Sequence, residues 1–383
     1  MCTWGRRARC ALTSIAHNSS AVTLEFSATL RSIPVYPAAD GYAWEGPLVR
    51  LASNESPYPP LPAVVEAIER TLGDLNRYPD PTNAALRARL SDRYGVPAER
   101  IAVGNGSCDV LLAAGQALLE PGAEVIYAWP SFSVYPHLAA AAGARAIEVA
   151  LDVSGRHDLV AMAAEVTVAT RLLIVCNPNN PTSTAVELEQ LTALVSEVPE
   201  RVCVVIDEAY CEFNLRNDPD ATIELLAQHP NLVLLRTFSK VHGLCGLRVG
   251  FALCGSRELP DALNQVRQPF FCNAAAQAAA IEALAHQDEV AMRVERAVVA
   301  RNEMEAGLRV LGIEPAESQA NFSWFALPDE VDELATVQGL AERGVLVRAG
   351  TALGQAGSLR VTYGTESEIA RFLEALGDLL HIA

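Results

Sequence analysis

Residues 232–251 place a lysine at the end of an apolar run: Leu-Val-Leu-Leu-Arg-Thr-Phe-Ser-Lys-Val-His-Gly-Leu-Cys-Gly-Leu-Arg-Val-Gly-Phe. Residues 232–235 predict a short buried strand, because four consecutive aliphatics are bounded by polar residues and the run is too short for a helix. Lys240 then stands just beyond a strand end, where parallel α/β sheets keep their ligand sites. A lysine amine forms Schiff bases with carbonyl compounds. Thr237 and Ser239 add hydroxyls, and Arg248 adds a planar fork suited to an oxyanion or phosphate. Together they suit a phosphate-bearing aldehyde. A lysine after a strand is most often a solvated surface residue; what argues otherwise here is the rest of the polar inventory.

Four more loops follow predicted strands. Gly104-Asn-Gly-Ser-Cys-Asp turns the chain and offers Ser107 as a helix cap, so that backbone N–H groups and the helix dipole form an anion cradle. Trp129-Pro-Ser-Phe-Ser-Val-Tyr puts the flat ring of Phe132 where it could stack on another ring or pack in the core. Cys176-Asn-Pro-Asn-Asn-Pro-Thr sets three asparagines and two prolines after an aliphatic strand, a rigid loop whose amides aim at one place. Ile206-Asp-Glu-Ala-Tyr brings Asp207 out of an apolar strand, where a carboxylate is costly unless paired. An N-cap is the plain use of such an aspartate. A protonated pyridine nitrogen is the partner that makes chemical sense beside Lys240, with Asn180 and Tyr210 in reach of the ring's phenolic oxygen.

The elements that carry these loops alternate. Strands are predicted over 101–103, 124–128, 146–149, 171–176, 202–206 and 232–235, with helices over 62–72, 83–94, 107–119, 135–142 and 187–195. Such alternation gives an α/β sheet, mostly parallel and covered by helices on both faces. Beyond Gly250 come a strand at 251–253, helices over 260–267, 274–285 and 288–311, and a mixed tail with strands over 321–327, 345–348 and 358–361 and helices over 331–343 and 366–380. This tail predicts a smaller α+β domain. A short amphipathic helix is expected over 24–33.

With 383 residues, two domains are the default. The net charge of −17 argues against a nucleic-acid surface, since the only basic cluster is Arg6, Arg7 and Arg9. Half the residues are apolar, yet no tract is long and uninterrupted enough to span a bilayer. Nine cysteines without a CxxC spacing speak against zinc or a secreted disulfide framework and for a reduced, cytoplasmic protein. Residues 1–24 hold Arg and Ser but no acid; their composition reads as a disordered extension or an upstream start rather than a transit peptide.

The motifs Asn-Pro-Asn-Asn-Pro-Thr (177–182), Asp-Glu-Ala-Tyr (207–210) and Ser-Lys-Val-His-Gly-Leu-Cys-Gly-Leu-Arg-Val-Gly-Phe (239–251), in that order, resemble fold-type I pyridoxal-phosphate aminotransferases, and within them the histidinol-phosphate aminotransferase group. Leu51-Ala-Ser-Asn-Glu-Ser-Pro-Tyr, Asn76-Arg-Tyr-Pro-Asp and Leu359-Arg-Val-Thr-Tyr-Gly-Thr extend the likeness from about residue 30 to the end. The resemblance implies pyridoxal 5'-phosphate as cofactor, joined to Lys240, with Asp207 on its pyridine nitrogen and Asn180 and Tyr210 on its ring oxygen. It implies that Ser107, Cys108, Ser239 and Arg248 hold the phosphate and that Phe132 lies over the ring. Tyr78 would reach the phosphate of a neighbouring subunit, implying a homodimer with shared sites. Arg360 would hold the substrate carboxylate or phosphate, with Arg348 and Tyr36 as further candidates.

The implied domains are an extension over 1–24, an N-terminal segment over 25–50 packing with the small domain, a large cofactor-binding domain over 51–285, and a small domain over 286–383. Ser183 stands where the family usually has glycine, Cys108 where an acidic residue is common, and the segment around Tyr36 matches only loosely. The implied reaction is a transamination with a 2-oxo acid, with histidinol phosphate and 2-oxoglutarate as the expected pair. An aromatic amino-acid aminotransferase is the alternative, and an amino-acid phosphate decarboxylase a further one.

Overall fold

A computed structural model describes residues 25–33 and 46–382. Tyr36 and residues 1–24 lie outside the described residues. In place of the helix expected over 24–33 there is a single 3-10 turn, Ala28–Ser32. Pro34 follows in the sequence, and a proline drives the residue before it into extended backbone, as at Ile33 with φ −76° and ψ 115°.

Strand β1 (Val49–Arg50) leads into helices α1 (Pro62–Glu69) and α2 (Ala84–Tyr94). Then β2 (Ile101–Gly104), α3 (Ser107–Leu118), β3 (Glu124–Trp129), α4 (Tyr135–Ala142), β4 (Arg145–Ala150), α5 (Leu159–Ala164), β5 (Thr170–Cys176), α6 (Leu188–Glu197) and β6 (Cys203–Asp207) alternate. Strands β7 (Leu232–Thr237) and β8 (Gly250–Cys254) precede helices α7 (Glu258–Val266), α8 (Ala274–Ala283) and α9 (Gln287–Val310). The chain ends with β9 (Phe322–Ala326), α10 (Glu333–Ala341), β10 (Val345–Leu346), β11 (Arg348–Ala349), β12 (Ser358–Thr362) and α11 (Glu366–Ile382).

The main sheet has seven strands in the order β2-β8-β7-β6-β5-β3-β4. Strands β3 to β7 run parallel to one another, and β8 is antiparallel to both β7 and β2. All strands but β8 therefore end at one edge, and the loops with the polar residues gather there. Successive side chains of a strand face opposite sides, and the two faces have separate cores. Leu173, Val175, Val204, Ile206 and Leu234 pack with Leu86, Leu90 and the alanines of α8 on one side. Leu172, Ile174, Val205 and Leu235 pack with Leu111 and Tyr135 on the other. Each fully buried aliphatic contributes about 1.5–3 kcal/mol relative to exposure, which is why strands covered twice are nearly pure Val, Ile and Leu.

Strand β7 runs two residues past its predicted end, through Arg236. That arginine is only 2 % exposed and pairs with Glu208 at 2.8 Å and Asp220 at 2.6 Å, so its charge is buried within the sheet rather than ending it. The strand expected over 345–348 is two separate pairings: β10 runs parallel to β1, and β11 is antiparallel to β12. A third core joins Val49 and Leu51 to Met304 and Leu308 of α9 and to Phe325, Leu359 and Phe372.

Candidate active site

The strand ends surround a cavity of about 350 Å³. At the end of β2, the residue that caps α3 is Gly106, at φ +83°, and not Ser107 as expected; Ser107 is the first residue of the helix. Only glycine fits here. A Cβ on Gly106 would lie 2.6 Å from Arg248 Nη2, and one on Gly250 would overlap the Ser107 backbone nitrogen. The guanidinium of Arg248 thus lies over the N-terminus of a helix, two cationic features facing one space. Ser107, Cys108, Thr237 and Ser239 line the same part of the cavity, with the Thr237 hydroxyl donating to Ser239 Oγ at 2.9 Å. Burial pushes the Cys108 thiol above its usual range.

The three asparagines after β5 do not converge. Asn177 Oδ1 accepts from the Val186 amide at 2.9 Å, and Asn179 bonds Ser131, His157 and Thr182, so both brace the loop. Asn180 alone lines the cavity. Ser183, at the position where the resemblance leads one to expect glycine, is buried at φ +60°, a left-handed backbone that glycine adopts most readily. Asn179 also ties down His157, whose burial depresses its pKa to about 4.

Asp207 ends β6 with only 4 % exposure. Its Oδ2 accepts from the Tyr135 hydroxyl at 2.9 Å and its Oδ1 from the Ala209 amide at 3.3 Å. Burial raises its pKa to about 6, against which the Tyr135 hydrogen bond works. A cation in the cavity would restore its charge. Lys240 follows β7, its Nζ donating to the carbonyls of Ser53 at 3.2 Å and Asn54 at 3.1 Å and lying 5.5 Å from the Tyr210 ring centre. Burial, then the charge of Arg360, lowers its pKa to about 8, so the amine loses its proton more readily than an ordinary lysine.

Arg348 and Arg360, which also line the cavity, are register partners on β11 and β12, both buried. Arg360 Nη1 donates to Asn180 Oδ1 at 2.5 Å and Nη2 to the Ala52 carbonyl at 2.6 Å. With its oxygen so engaged, the Asn180 amide nitrogen is left as a donor. Asn54 donates to the Tyr210 hydroxyl at 2.9 Å.

One cavity therefore brings together Ser107, Cys108, Phe132, Asn180, Asp207, Tyr210, Ser239, Lys240, Arg248, Arg348 and Arg360. Tyr78 is outside it, 79 % exposed and stacked on Phe270 with ring centres 4.3 Å apart. Sequence reasoning missed Ser53, Asn54, Glu55 and Cys245 on the lining and Tyr135 behind Asp207. The stretch 51–58 entered the sequence reading only through its likeness to the family, and nothing local marks its partners. Among the described residues no three His, Cys, Asp or Glu side chains group to hold a metal, and no helix is long and apolar enough to cross a membrane. A primary amine of lowered pKa, a buried carboxylate calling for a cation, and an arginine over a helix N-terminus fit pyridoxal 5'-phosphate group by group.

The model of the family "Aminotransferase class I and II" matches residues 47–376. The chain is 41 % identical over 347 residues to an aromatic amino acid aminotransferase of Cutibacterium acnes, covering 91 % of this chain and 96 % of that one. It is 44 % identical over 342 residues to an aromatic amino acid aminotransferase of Streptomyces coelicolor, covering 89 % and 93 %. Among solved structures it is similar to the histidinol-phosphate aminotransferase of Sinorhizobium meliloti in complex with pyridoxal 5'-phosphate, with a TM-score of 0.82, 27 % identity, and coverage of 95 % and 99 %.

Proposed function

Because the chain belongs to the class I and II aminotransferases, as a pyridoxal 5'-phosphate-dependent transaminase of fold type I acting on an amino donor and a 2-oxo acid, we propose that its amino donors are aromatic amino acids. The observation that carries this reading is the identity of 41 % and 44 % to aromatic amino acid aminotransferases over about nine-tenths of the chain. Histidinol phosphate, expected from the motifs, is the second reading. It is favoured by the Sinorhizobium meliloti neighbour and by paired Arg348 and Arg360, which suit a phosphate as well as a carboxylate.

We assign the roles as follows. Bound at Lys240, the cofactor supplies an electron sink for the charge left on the substrate carbon when its proton departs. Asp207 holds the ring nitrogen in its protonated form, and its own burial makes that pairing strong. Asn180 and Tyr210 donate to the ring oxygen. Ser107, Cys108, Ser239 and Arg248 hold the phosphate, and Phe132 covers the ring. Arg360 grips the substrate carboxylate, with Arg348 beside it. With its pKa lowered to about 8 by burial, Lys240 would serve as the base that takes the proton from the substrate carbon and as the acid that gives it back. Tyr78 lies outside its own cavity and is exposed, and we propose that it reaches the phosphate in a second copy of the chain, forming a homodimer with shared sites.

The test is single-turnover absorbance of the holoenzyme mixed separately with phenylalanine, tyrosine, histidinol phosphate and glutamate. Phenylalanine or tyrosine should bleach the cofactor band at least ~10-fold faster than histidinol phosphate, a difference of ~1.4 kcal/mol that pocket contacts readily supply. A faster reaction with histidinol phosphate would reverse the assignment.

A further inference from the structure

Asn54 is 1 % exposed and sits at φ +53°, a left-handed conformation that an asparagine adopts at some cost. Every polar group it has inside the cavity wall is engaged. Its Nδ2 donates to the Tyr210 hydroxyl at 2.9 Å. Its carbonyl accepts from Lys240 Nζ at 3.1 Å and from Asn321 Nδ2 at 3.3 Å. Its backbone amide donates to Thr362 Oγ1 at 2.9 Å, and the same hydroxyl donates back to Asn54 Oδ1 at 3.1 Å. Thr362 lies on β12, two residues beyond Arg360.

The direction of the bond to Tyr210 matters. An amide N–H can only donate, so it occupies a lone pair of the phenol oxygen and leaves the phenol's own proton to point elsewhere. The open direction is the cavity. We propose that Asn54 is a positioning residue that makes Tyr210 a one-way donor into the cavity and ties that donor, with Lys240, to the strand that carries Arg360. The two-way bond with Thr362 sets the Asn54 amide in register with β12. Movement of that strand is thereby passed to the hydroxyl that steers the cofactor's ring oxygen. The inference rests on the reading of Tyr210 as a donor to that oxygen.

The experiment follows the pH midpoint of the absorption change of the bound cofactor. A hydrogen bond to the ring oxygen favours its anionic form and keeps the midpoint low. Asn54→Gly is the variant of choice, since glycine accepts the positive φ and keeps the carbonyl that faces Lys240 while removing the amide. It should raise the midpoint by roughly half a unit to one unit, the worth of one hydrogen bond. Tyr210→Phe should raise it by at least as much, and adding Asn54→Gly to Tyr210→Phe should give no further rise. Thr362→Val, which loosens the amide without deleting it, should give a smaller rise. If Tyr210→Phe shifts the midpoint and Asn54→Gly does not, or if the two shifts simply add, the role of Asn54 is wrong. If Tyr210→Phe itself leaves the midpoint unmoved, the reading of Tyr210 fails first.

Discussion

Asp207 is the residue on which the electronics of the site turn. It is a carboxylate taken out of water, with two neutral donors and no cation among its hydrogen-bond partners, and burial lifts its pKa to about 6. Folding the empty protein therefore favours a proton on Asp207 between the ordinary value of 3.8 and about 6, so this group costs stability as pH rises through that window. A bound pyridinium reverses the balance. Asp207→Asn should retain the shape and lose the charge; kcat should fall at least ~100-fold, about 2.7 kcal/mol, with a far smaller change in KM. Steady-state kinetics on both substrates checks this, and an unchanged kcat rejects the role. Lys240, Asp207 and Asn180 were legible in the sequence because each is a polar residue at or soon after the end of an aliphatic strand, and Arg248 because it stands just before one in a glycine-punctuated stretch. Asn54 was not, because its meaning lies in partners 156, 186 and 308 residues away.

Among the elements, the junction of β2, β8 and α3 is the tightest. Gly104 and Gly250 are register partners, and Gly250 has the Ser107 amide against the place where a Cβ would go. Backbone atoms cannot step aside as a flexible side chain can. Gly250→Ala should push the N-terminus of α3 outward, costing about 1–3 kcal/mol of stability and reducing cofactor affinity by roughly tenfold or more. Cofactor titration and thermal melting together check it, and a variant with normal affinity would place the phosphate elsewhere. Periodicity found most of the helices and strands, because strands buried on both faces and helices on one leave plain patterns. It misread the split between β10 and β11 and missed the strand β1, both of which long-range pairing decides, and it missed α5, a helix of 6 residues capped by Asp158 that is too short to show a period. Asn177 and Asn179 show the same limit. Loop-bracing and ligand-facing asparagines look alike until their partners are known.

At the scale of the whole molecule, the proposed dimer explains an exposed aromatic pair. Tyr78 and Phe270 stack on each other at the surface, an arrangement that gains little in water and much when covered. If each site borrows Tyr78 from the other subunit, a hybrid of Lys240→Ala and Tyr78→Ala subunits has one site with both defects and one with neither. Refolding the two inactive variants together should then recover about a quarter of wild-type activity, as random pairing in a two-fold dimer requires. Recovery no greater than the sum of the parents would mean that each chain works alone. The pairing of β1 with β10 has a consequence for how the enzyme is made. Val49 lies against Val345, and Asn54 bonds Thr362. At a ribosome's ~5–20 residues per second, the early strand waits on the order of 15–60 seconds for its partner to be synthesised. The walls that hold Lys240 close only when nearly the whole chain has emerged, so a truncated product keeps the lysine but never assembles the catalyst.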